Sequence, residues 1–266
     1  MSTVSTTEIP ARRRPTSPRR GMSWTYVAIE VKRLLSRPAV LFFCVAMPVG
    51  FYVLFDAAFG DAAGAGLEGS VNAVFLVSMG VYGAALAAGS ATVSVAHERP
   101  LGWNRQLRLT PLRPWAYAAA KILAAMIVSA LSVAVLYAVG LVWGKAAITP
   151  AWWVVSGLFI WAVGSVTFAA LGLVVALGFR GETGSAIMIP LLLVCAFLSG
   201  VFQIPIDNSV YQTVMQFIPM YGIDQIASAP ITGQPAGWSA WANAIVWLVS
   251  LSGLAVILFR RDTARQ

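Results

Sequence analysis

A chain of 266 residues that is 59% hydrophobic and only 11% charged falls well below the roughly 25% charged residues of soluble domains. That composition excludes a water-soluble globular protein. The formal charge of +8 does not point to nucleic acid, because the basic residues sit beside apolar runs on one set of loops, the pattern that writes membrane topology. Cys44 and Cys195 fall inside apolar runs with no histidine or carboxylate cluster nearby, so neither a disulfide nor a metal site is expected.

Residues 1–21, rich in Ser, Thr, Pro and Arg, read as a disordered basic tail able to touch anionic lipid headgroups. Residues 22–38 then read as an amphipathic interface helix. Trp24, Val27, Val31, Leu34 and Leu35 recur at helical spacing, while Glu30, Lys32, Arg33 and Arg37 supply the polar side. Such a helix lies in the headgroup layer, and Pro38 turns the chain into the bilayer.

Residues 39–259 read as an all-α polytopic membrane domain. Six spans are placed at about 39–59, 71–95, 116–143, 152–178, 185–203 and 237–259, since about 20 apolar residues cross ~30 Å of hydrocarbon. Residues 260–266 form a short tail. Of the 18 Lys and Arg, eight lie in 1–38, four in 96–115, one in 179–184 and three after 259, while the opposite loops hold only Lys145. Both termini are therefore expected in the cytoplasm.

Two connections carry more than a turn. Between spans two and three, Arg99, Arg105, Arg108 and Arg113 accompany Glu98 and the lone histidine, His97. Leu101, Asn104, Arg105 and Arg108 are spaced by three or four, Trp103, Leu107 and Leu109 add apolar contacts, and Pro111 and Pro114 stop the pattern. A short helix held between two spans is a lever for another protein; the same arginines would equally serve to fix topology alone. Between spans five and six, residues 204–236 show an apolar face of Val210, Val214, Phe217, Ile218 and Tyr221, a break at Pro219, and a second helical start over Gly222–Ala229. Two short external helices dipping partly into the outer leaflet are expected, with a loop on the surface as the alternative.

Chemistry of its own is scarce. Asp56 and Lys121 are the ionisable groups placed in spans, each near an end from which it could snorkel to the interface. No carboxylate pair or histidine cluster is evident, so neither proton coupling nor hydrolysis is expected. Gly140 to Lys145 falls one residue short of a phosphate-binding loop. Small residues recur at three and four in span two (Gly80, Gly83, Ala84, Ala87, Ala88, Gly89), and span four adds Gly157, Gly164, Ser165 and Gly172, which favours close helix packing. Pro190 would kink span five, and Phe75, Tyr82, Phe197 and Phe202 offer aromatic surface to an amphipathic cargo.

In order and spacing these features resemble the membrane subunits of type-2 ATP-binding-cassette (ABC-2) exporters. The pieces that carry the resemblance are the helix ending Arg37-Pro38, the segment from Glu98-Arg99-Pro100-Leu101-Gly102 to Leu109-Thr110-Pro111-Leu112, Lys121 after it, Ser199-Gly200 to Pro205, and Phe217-Ile218-Pro219. Pro100-Leu101-Gly102-Trp103 departs from the regular charged-glycine helix start and blurs the first turn of that segment. The resemblance implies a permease without its own catalytic or cofactor site, paired with a second copy or a related permease. It further implies that a cytosolic ATPase docks beneath each subunit and holds the ATP and Mg. Glu98, Leu101, Arg105, Leu107, Arg108 and Pro111 would belong to the coupling helix; Trp24, Glu30, Lys32, Arg33 and Arg37 would add a second contact. Spans two and five would line the path through Phe75, Met79, Tyr82, Leu86, Pro190, Val194, Phe197, Leu198 and Phe202. The expected function is ATP-driven export of a drug, antibiotic, lipid or glycan across a bacterial plasma membrane. An ion-coupled secondary transporter, or a non-transporting sensor or enzyme subunit, are the alternatives.

Overall fold

The computed structural model describes residues 24–59, 68–98, 114–179, 182–203 and 208–264, and among them every regular element is helical. Helix α1 is Trp24–Leu35. Helix α2 runs from Pro38–Leu41 through a π-helical turn, Phe42–Ala46, into Met47–Phe59. Helix α3 is Glu68–Val93, continued past Ser94 by Val95–Glu98. Helix α4 is Pro114–Trp143, and α5 runs from Pro150–Phe159 through a second π turn, Ile160–Gly164, into Ser165–Gly178. The remainder are α6 (Glu182–Leu198), α7 (Ser209–Met215), α8 (Tyr221–Thr232) and α9 (Trp238–Ala264). Pro38 and Pro150 open their helices after an extended residue, a position where a missing N–H costs nothing.

Five helices, α2, α3, α4, α5 and α9, are long and apolar enough to cross a membrane. The expected fifth of six spans, 185–203, is the exception. Helix α6 has 17 residues and stops at Leu198, where Gly200 takes a left-handed φ of 81° and Gln203 one of 52°. Glycine at such a position ends a helix cheaply, so the apolar run reads longer than the helix it makes.

Helix α3 is the most buried of the five. It is apolar all round, as a helix enclosed on every side must be, and it packs against α2, α4, α5, α6 and α8. Its small residues allow this. A Cβ on Gly172 of α5 would stand 2.5 Å from the Gly89 carbonyl oxygen of α3 and closer still to Thr92 Oγ1. Side-chain hydrogen bonds tie the other helices: Ser165 Oγ donates to Ser129 Oγ at 2.8 Å, and Trp161 Nε1 to the Met126 carbonyl at 2.9 Å.

The connection between α6 and α9 contains two short helices of opposite character. Helix α7 is exposed, N-capped by the Asn208 side chain, which accepts from the Val210 and Tyr211 amides. Helix α8 is tucked inward with Tyr221, Gly222, Ile223, Asp224, Ile226, Ala227 and Ser228 buried. Asn243 of α9 fixes the corner between them. Its Nδ2 donates to the carbonyls of Gln216 at 2.8 Å and Ile218 at 3.0 Å, and its Oδ1 accepts from the Gly222 amide at 3.1 Å. Any side chain at 222 would strike the α9 backbone at Ala240 and at the Ala244 nitrogen, 2.7 Å away.

Candidate functional site

The buried charges converge where α1 lies against the end of α3 and the start of α4. On α1 the inward stripe is Val27, Glu30 and Leu34, spaced three and four apart as one helix face requires. Glu30 is thereby buried, not on the polar side that its charge suggested. Lys121, two turns into α4, is 1% exposed; its Nζ donates to Glu30 Oε1 and to Glu98 Oε1, each at 2.6 Å, and reaches Ser94 Oγ at 3.4 Å. The expectation that Lys121 snorkels to the interface is therefore corrected, because two carboxylates meet it inside. Arg33 bonds Glu30 at 2.7 Å and also bonds Glu98. The Tyr117 hydroxyl donates to Glu98 Oε2, and Lys121 lies 5.7 Å from the Tyr117 ring centre.

Among the described residues, two carboxylates and two cations balance one another at this junction. Burial works against the Arg33 charge, but Glu98 and Glu30 together hold its guanidinium above the ordinary value. A buried ion pair contributes little net stability against an apolar replacement, yet removing one partner is costly. Such a junction therefore specifies how its helices meet.

A second polar cluster closes the opposite end of α3, where Asp56 was also expected to snorkel. Instead Asp56 is buried. It accepts from Asn72 Nδ2 at 2.6 Å, Trp143 Nε1 at 2.7 Å and Lys145 Nζ at 3.0 Å, and Asn72 in turn accepts from the Tyr52 hydroxyl. Residues of α2, α3 and the end of α4 are pinned by one carboxylate.

The remaining expected residues separate clearly. Of the interface set, Trp24, Lys32 and Arg37 are exposed and Arg33 is half-buried. Of the coupling set, Glu98 ends α3, while Leu101, Arg105, Leu107, Arg108 and Pro111 lie outside the described residues. Of the path set, Phe75, Met79, Tyr82 and Leu86 are buried on α3 and Phe202 is buried beside them, whereas Pro190, Val194, Phe197 and Leu198 are exposed on α6. The inward face of α6 is Met188, Leu192 and Ala196. Phe202 joins the two sets: its ring lies 5.6 Å from Tyr82, 5.3 Å from Phe51 and 4.4 Å from Phe197.

The Glu30–Glu98 convergence on Lys121 is not visible within any single span, because the pair bridges different helices. One signal was present: Glu30 falls between Val27 and Leu34 on a single apolar stripe. Asp224, which falls in the second short external helix expected over Gly222–Ala229, is also fully buried.

Comparison with known proteins agrees with the fold. The family model "ABC-2 type transporter" matches residues 23–229, from α1 into α8. The chain is also similar to "Putative transport permease YvfS" of Bacillus subtilis (strain 168), 26% identical over 240 residues, which cover 89% of this chain and 95% of that protein.

Proposed function

Since the chain belongs to the ABC-2 type transporter family and is a multi-pass transport permease of an ABC system with an ATPase partner, we propose that it is the membrane subunit of an ATP-driven exporter. The Glu98 end of the bundle faces the cytoplasm and the Asp56 end faces outward. A cytosolic ATPase, holding ATP and Mg, docks on residues 98–111 and on the exposed side of α1, and two such ATPases serve a pair of permeases. The cargo is amphipathic: a drug, antibiotic, lipid or glycan.

The observation that carries this reading is the Glu30–Lys121–Glu98 junction. It joins α1, α3 and α4 at the base of the 99–113 segment, so force on that segment or on α1 reaches the central helix. ATP binding shifts the permease only if the closed ATPase pair fits one arrangement of these helices better than another. The exposed face of α6, with Val194, Phe197 and Leu198, turns toward the second permease and lines the path there, while Phe75, Met79, Tyr82, Leu86 and Phe202 back it.

The test is co-purification with the ATPase. Arg105→Glu together with Arg108→Glu is expected to lose the complex while the permease stays folded. An undiminished complex in that variant removes the docking role of the segment. ATP-independent uphill transport by the reconstituted permease alone would overturn the exporter reading itself.

A further inference from the structure

Among the described residues, Asp224 is a carboxyl with no counter-ion. It is 1% exposed, and neither oxygen meets a hydrogen-bond partner within ordinary distance among the described residues; the Ser228 hydroxyl, one turn along the same face of α8, is also unpartnered. Helix α8 packs against α3, α5 and α9. From α3 it is faced by Ser78, whose hydroxyl accepts from Gln203 Nε2 at 3.2 Å, and the titratable group of α3 nearest in sequence is Tyr82. Helix α5 carries no titratable side chain between Pro150 and Gly178, and α9 carries none between Trp238 and Phe259. On α8 itself only Tyr221 can titrate besides Asp224. The seat is also tight, since Gly222 leaves no room for a Cβ against α9.

An ionised carboxylate in such a place has lost its hydration with, among the described residues, only the facing Ser78 hydroxyl to offset the loss in part, a cost that proteins avoid by neutralising the group. We propose that Asp224 is a proton-binding site: α8 seats against the bundle with this carboxyl neutral, and loss of the proton releases the helix. The proton comes from and returns to the water at the Asn72 end of α3, the end nearer to Ser78. In the exporter reading that end is the external mouth, so the device makes the outer closure respond to external pH.

The direction follows from linkage. Burial pushes the seated carboxyl up to about 7 from 3.8 for the free side chain; α8 lies outside the five membrane-spanning helices. The seated form thus holds the proton more tightly than the released form. Seating is strongest below about 4, weakens as pH rises from there toward about 7, and is level above that. The population of released helix grows by up to about tenfold per pH unit inside that window.

Hydrogen–deuterium exchange of the full chain in lipid nanodiscs, corrected for intrinsic exchange rates between pH 4 and 9, reads this directly. Amides of α8 are expected to lose protection as pH rises to about 7 and then to level off, while those of α5 show no matching change. Asp224→Asn, which keeps the neutral shape, is expected to stay protected throughout. Protection of α8 that ignores pH, that changes equally in Asp224→Asn, or that follows sodium concentration instead of pH overturns the proposal. Should Asp224→Asn fail to fold, infrared titration decides: the wild-type chain must show a protonated-carboxyl band lost near pH 7, shifted in frequency by Asp224→Glu. The absence of such a band overturns the site. Neither ATPase nor cargo is needed, so failure here leaves the exporter reading standing.

Discussion

Lys121 Nζ stands 2.6 Å from Glu98 Oε1, and these two residues bracket the 99–113 segment, one closing α3 before it and the other on α4 after it. The pair therefore forms the base of that connection. Glu30 and Arg33 add α1 to the same base, so three helices meet through four charges.

Lys121→Met leaves Glu30 and Glu98 facing one another with Arg33, itself half-exposed, as the remaining cation among the described residues. A loss of about 3–5 kcal/mol is expected, the usual cost of orphaning a buried charge. Adding Glu98→Gln to Lys121→Met should recover a large part of it. Unfolding of the detergent-solubilised chain, followed for the two single variants and the double, measures the coupling. Strict additivity would mean that the pair is not one unit.

The Asp56 cluster gives a graded expectation. Lys145 is 53% exposed on its side chain, so Lys145→Ala should cost at most about 1 kcal/mol, in the range of surface pairs. Asp56→Asn strips the charge from an acceptor serving Trp143, Lys145 and Asn72, and about 1–3 kcal/mol is expected. The check is a comparison of midpoints in the same unfolding assay, with Asp56→Asn the lower.

Close packing of α3 on α5 predicts a sharp contrast between two glycines. Gly172→Ala puts a methyl against the Gly89 carbonyl and Thr92, and neither backbone can yield easily; overpacking of this kind costs about 1–3 kcal/mol. Gly253→Ala meets nothing within 4 Å and should be neutral or gain up to about 1 kcal/mol from helix propensity. Equal midpoints for the two variants would contradict the close approach.

The elements were legible because apolar length and punctuation are local. Pro38 and Pro150 mark helix starts, and the runs between polar loops match α2, α3, α4, α5 and α9 closely. The end of α6 was not legible, since Gly200 and Gln203 interrupt a stretch that stays apolar on either side. The site was half legible. Glu98, Arg33 and Glu30 were singled out in sequence, but their joint partner Lys121 lies 91 residues from Glu30 along the chain, and no periodicity within one helix reports a contact between helices. The burial of Asp224 was not legible for a related reason: a polar residue in an external helix reads as water-facing unless the glycine two places before it is recognised as a docking surface for α9.

The aromatic cluster separates stability from transport. Phe202 is 2% exposed and touches rings from three helices, Phe51, Phe55, Tyr82 and Phe197; Phe202→Ala should cost about 3–5 kcal/mol, as for other buried rings. Phe197 is 46% exposed, so nearly half of its surface is not buried by this chain and Phe197→Ala should cost distinctly less. If α6 turns this face toward the path and the second permease, Phe197→Ala must nevertheless lower ATP-driven transport in the reconstituted complex. Measuring both quantities on both variants distinguishes the roles: a Phe197→Ala complex that is stable and transports at the wild-type rate would place the path elsewhere.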